Sequence, residues 1–128
     1  MAGVKLSKKG LLYLENIMTE LEIELKDRPD AIRIAFAKGI ASDSLPSDEK
    51  QEVSKFEFPI SVVAKGDEVL LFKHLIIEKY QEKIKDEELD KYILLFVEHG
   101  LLTMYNEINK LTNMDNYLFY LLEKHAIK

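Results

Sequence analysis

A chain of 128 residues, 47% hydrophobic and 32% charged, is long enough to build one core and too apolar to remain disordered. It holds no cysteine, which excludes disulfides, thiolate catalysis and cysteine-based metal sites. A net charge of −5 argues against a broad affinity for nucleic acid, and no apolar run reaches the roughly 18 residues of a membrane span. The opening Met1-Ala2-Gly3-Val4-Lys5 lacks the apolar core of a signal peptide, so a cytoplasmic location is expected.

In chain order, Val4-Lys5-Leu6 suits a short strand or arm, and Ser7 suits the cap of a first helix. Leu11, Leu14, Met18, Leu21 and Leu25 recur at steps of three and four, which predicts one apolar stripe on a long helix ending at Asp27-Arg28-Pro29. Pro29 then fits the first turn of a second helix carrying Ile32, Ala35, Phe36 and Ile40. A polar stretch rich in breakers, residues 42–50, predicts a loop. Phe56, Phe58, Ile60 and Val62 alternate with their neighbours, which predicts extended chain near 55–63; Pro59 restricts it to an edge or irregular position.

The rest reads as helix. Asp67 or Gly66 opens a segment with Val69, Phe72, Ile76 and Tyr80 on one stripe. Asp86 is a candidate cap for the next, where Leu89, Tyr92, Ile93, Phe96 and Val97 give the best helical period in the chain. Gly100 is expected as its left-handed stop, with a further helix from Leu101 and a break at Asn113 and Asp115. The expected fold is mainly α: a compact helical domain with a short amino-terminal strand or arm and one extended segment. It forms a single domain with an amino-terminal part (1–41), a loop and extended segment (42–65) and a helical part (66–128). Leu118-Phe119-Tyr120-Leu121-Leu122 is apolar on more than one helical face, which predicts self-association.

No residue set forms a recognised catalytic site. His74, His99 and His125 never pair at helical spacing, so no helical metal motif exists. His99 beside a predicted helix end suits an interaction with the helix dipole. No serine sits in a nucleophile elbow, and no glycine-rich phosphate loop occurs. Asp86, Glu87, Glu88 and Asp90 lack calcium-loop spacing and read as a solvated helix start. The aromatic residues fall mostly at core spacing. No enzyme activity, cofactor or metal is therefore expected.

Charge is uneven along the chain. Residues 1–40 carry seven basic and six acidic groups, whereas residues 41–128 carry eleven and seventeen. Lys5, Lys8 and Lys9 stand in the first ten residues with no acid, so any phosphate contact is expected there. They lead into the first helix, whose N–H groups would add to such a site. Lys26 and Arg28, followed by Lys38, are the next candidates. Arg33, between apolar neighbours, is expected in a structural or interface ion pair.

The order of short blocks resembles the DndE family of bacterial DNA sulfur modification proteins. The blocks are Leu6-Ser7-Lys8, Arg33-Ile34-Ala35-Phe36, Gly66-Asp67-Glu68 and Val97-Glu98-His99-Gly100-Leu101. The turn between the first two helices, Lys26-Asp27-Arg28-Pro29-Asp30, departs from the Thr-Gly-type turn expected of that family. The resemblance implies a helical fold with a ribbon-helix-helix-like amino-terminal part and a homotetramer. It also implies a non-catalytic role beside a cysteine desulfurase, an ATP-pyrophosphatase-like enzyme and an ATPase, with surface lysines binding nicked duplex DNA. The alternative is a protein–protein interaction module that uses its acidic carboxyl half and never touches DNA.

Overall fold

The computed structural model describes residues 3–47, 49 and 51–125, with side chains through residue 111. The order of elements is β1 (Val4–Ser7), α1 (Lys8–Glu20), α2 (Arg28–Ala41), β2 (Val53–Phe58), α3 (Glu68–Tyr80) and α4 (Leu89–His125). The fold is mainly helical, and the two strands form one antiparallel pair of four and six residues. Val4 lies opposite Phe58 and Lys5 opposite Glu57; an irregularity then brings Ser7 opposite Val53. β2 ends before Pro59, which therefore leaves the ladder intact, and Ile60–Val62 turns as a short 3-10 helix.

Ser7 caps α1 as its side-chain chemistry dictates: its Oγ accepts from the Gly10 N–H at 2.9 Å. The helix stops at Glu20, well before the proline that is expected to end it. Glu22 adopts a left-handed φ of 54°, and the Ile23 N–H donates to the Met18 carbonyl at 2.8 Å. This is a Schellman closure without its usual glycine. Leu21 and Leu25, expected on the buried stripe, are in consequence 51% and 71% exposed. α2 starts as predicted, with Pro29 in its first turn.

Gly100 requires a correction. It does not end a helix: α4 runs unbroken from Leu89 to His125, through Gly100, Asn113 and Asp115. Gly100 is instead the point where α4 meets α2 at backbone distance. Asp86 does not cap α4 directly but begins a short 3-10 turn ahead of it. The 37 residues of α4 span roughly 55 Å at 1.5 Å per residue. The side chains of Leu118–Leu122 and His125 lie outside the described residues.

The core forms where α1, α2 and the sheet meet the first half of α4. Leu6, Leu14, Ile17, Ile32, Phe36, Phe58, Ile93, Phe96, Val97 and Leu101 are all buried there. α3 is as apolar as α4, but Ile76 is its only fully buried residue among those described; Leu70 and Leu71 face solvent. No described helix is long and apolar enough to cross a membrane.

Candidate nucleic-acid interface

Lys5 lies in β1 and Lys8 and Lys9 in the first turn of α1, and all three are exposed. Their states differ. Lys8 pairs with Glu52 at 2.7 Å and is thereby part-neutralised. Lys5 and Lys9 have no ion pair among the described residues. Lys26, in the turn before α2, pairs with Glu24 at 3.3 Å. The Arg28 guanidinium lies 4.3 Å from the centre of the Phe56 ring, which fixes it against β2. These surface pairs are worth under about 1 kcal/mol and open readily to a competing anion.

Strand alternation adds a residue that the charge count along the chain does not single out. In β2, Val53, Lys55 and Glu57 are exposed while Ser54 and Phe58 are buried. Lys5 lies opposite Glu57, so Lys5 and Lys55 share the outer face of the sheet. The period-two pattern of residues 53–58 carries this information, but only the pairing with β1 makes it usable.

At the start of α1 the N–H groups of Ser7, Lys8 and Gly10 already have acceptors. The Lys8 N–H donates to the Glu52 carbonyl at 2.7 Å, and the Gly10 N–H to Ser7 Oγ. The Ser7 N–H donates to Glu98 Oε1 at 3.0 Å, and the Ser7 hydroxyl donates to the same oxygen. A carboxylate from α4 thus already occupies the positive end of α1, where a phosphate is expected to sit. A phosphate at this terminus would have to compete with that carboxylate.

Arg33 lies in α2. It pairs with Glu68 at 3.3 Å and links α2 to the start of α3. His99 is not at a helix end, so the dipole explanation falls with Gly100. Its Nε2 lies 3.1 Å from Ser44 Oγ and 3.2 Å from Ser42 Oγ, which pins the segment after α2 to α4. Burial pushes the His99 pKa below its ordinary value of 6.5; a hydrogen bond that the ring donates to the Ser44 backbone opposes this, and the Lys79 ammonium reinforces the lowering.

A pH dependence follows. The unfolded chain protonates first, so the folded state keeps its full stability above pH 6.5 and loses part of it as pH falls from 6.5 towards the lower folded value. In urea unfolding at pH 7.5 and 5.5, the wild type should lose more stability across that interval than His99→Gln. Equal losses would show that His99 is not responsible.

No family profile matches the chain, and no curated protein matches it. Among solved structures, a glycine-to-lysine mutant of DndE, involved in DNA phosphorothioation, is similar to it. That likeness covers 83% of this chain and 98% of the DndE chain, at 19% identity and a TM-score of 0.52. At that identity it is a likeness of fold alone: the chain has a DndE-like fold.

Proposed function

We propose that this protein is a non-catalytic accessory component of a DNA sulfur modification machinery, binding nicked duplex DNA through phosphate contacts. The observation that carries the reading is the DndE-like fold, which spans 98% of the DndE chain. In this reading the protein acts in the cytoplasm as a homotetramer beside the other sulfur modification proteins. Lys5 and Lys9 lead the contact, Lys55 extends it along the sheet, and Lys8, Lys26 and Arg28 contribute after their present partners exchange for phosphate. Repeating these basic groups in several subunits raises the effective concentration of binding groups. Screening within about 8 Å at physiological salt lets them act despite the net charge of −5.

The test is a titration of nicked duplex at several salt concentrations. Binding should weaken steeply with salt, and the slope of log K against log salt should shrink by about 0.9 for each phosphate that a variant no longer neutralises. Lys5→Ala with Lys9→Ala should lower affinity more than Lys8→Ala with Lys26→Ala, whose ammonium groups are already paired. The oligomeric state should not change. If the wild type fails to bind even at low salt, the protein-interaction reading takes over, favoured by the acidic balance of residues 41–128.

A further inference from the structure

A cavity of about 360 Å³ lies between the first turns of α1, the segment after α2 and the middle of α4. That volume falls within the roughly 300–1,000 Å³ range of small-molecule sites. Its lining is mixed: Tyr13, Leu45, Leu95 and Leu102 supply an apolar surface, with Leu45 and Leu102 partly open to solvent, beside polar and charged side chains. Tyr13 is held in place by stacking on Tyr105, with ring centres 4.5 Å apart.

Two opposite charges border the same cavity. Glu98 is anchored through Oε1 to Ser7, while its Oε2 takes no hydrogen bond from any described residue. Lys9, two residues beyond Ser7, lines the cavity with no ion pair among the described residues. Glu49 also borders the cavity but is solvent-exposed, and His99 is held towards its neutral form.

We propose that this cavity binds a free α-amino acid with an apolar side chain of about the size of leucine or phenylalanine. The ammonium group donates to Glu98 Oε2, the carboxylate accepts from the Lys9 ammonium, and the side chain lies against Tyr13, Leu45, Leu95 and Leu102. A fixed carboxylate with an open acceptor, a cation with no ion pair among the described residues, and an apolar surface match the three parts of such a ligand. A simple anion would confront Glu98, and a simple cation would leave Lys9 without a counter-ion. A residue inside a peptide offers neither charge, so the site distinguishes the free amino acid from a polypeptide. This inference does not rest on the DNA reading, but both use the Lys9 ammonium, so a bound amino acid would compete with phosphate for it.

The test is amide-resolved NMR titration of the full chain with L-phenylalanine, phenethylamine, 3-phenylpropionate and N-acetylphenylalaninamide. Phenylalanine should give saturable shifts at Gly10, Glu98 and Leu102. The three analogues, each lacking one or both charges, should bind about tenfold more weakly, the equivalent of one charge-assisted hydrogen bond. Glu98→Gln, which keeps an acceptor for Ser7, should weaken phenylalanine by a similar factor. No saturable shift with phenylalanine, or equal binding of any analogue, overturns the proposal. So does a folded Glu98→Gln variant that binds phenylalanine as wild type does; if the variant does not fold, the four-ligand comparison on the wild type decides.

Discussion

Gly100→Ala is expected to destabilise the protein by about 3 kcal/mol or more, at or above the upper end of ordinary overpacking costs. A Cβ at Gly100 would sit 1.6 Å from the Ala35 carbonyl oxygen and 2.5 Å from its carbon. The obstacle is backbone in the middle of α2, so no rotamer change relieves it. The opposing helix uses the same device: a Cβ at Gly39 would lie 2.1 Å from the Phe96 carbonyl oxygen. The two glycines therefore let α2 and α4 touch main chain to main chain, and a methyl group on either must push the helices apart. Widening that seam loosens Ala35, Phe36, Phe96 and Val97, all buried. Alanine has a better helix propensity than glycine by about 1 kcal/mol, which offsets only part of the loss. Urea unfolding measures the result: Gly100→Ala and Gly39→Ala should both shift the midpoint sharply down. A Gly100→Ala midpoint equal to or above wild type would mean that the helices do not approach this closely.

Local chemistry makes much of this architecture legible in the sequence. Ser7 as a cap, Pro29 in a first turn and the period of Leu89, Tyr92, Ile93, Phe96 and Val97 each depend on residues within a few turns of one another. Expectation and structure part where distant residues decide. Gly100 has the look of a stop because glycine near the end of an apolar stripe commonly terminates a helix; here its missing Cβ answers to Ala35, 65 positions away in the sequence. The early end of α1 is hidden because a glutamate, Glu22, takes the left-handed position. At the candidate interface, Lys5, Lys8 and Lys9 are visible as a cluster, but the pairing of Lys8 with Glu52 and the alignment of Lys55 with Lys5 exist only once β1 and β2 meet. The anchoring of Glu98 on Ser7 joins residues 91 positions apart, and no sequence period encodes it.

Phe96→Ala should cost about 3–5 kcal/mol, the range for removing a fully buried phenylalanine. Its position makes the loss more than a volume effect. The Phe96 ring meets Phe36 of α2 edge-on at 6.4 Å and Tyr80 of α3 edge-on at 5.9 Å. Tyr80 in turn meets Tyr92 at 5.1 Å, and Phe36 meets Phe72 at 4.7 Å. Each such pair is worth about 0.5–1.5 kcal/mol beyond its buried area, and Phe96 takes part in two of them. α3 depends on this cluster because it buries little else: Ile76 is fully buried, whereas Leu70 and Leu71 are exposed. The loss should therefore divide unevenly. Hydrogen exchange of the Phe96→Ala variant should show α3 amides losing protection by more than global destabilisation accounts for, while α1 follows the global value. Phe96→Leu, which fills part of the space without the ring edges, should cost about 2–3 kcal/mol, most of it the two lost ring pairs. If α3 and α1 lose protection equally in Phe96→Ala, the aromatic cluster is not what docks α3, and the Arg33–Glu68 pair with Ile76 must hold it instead.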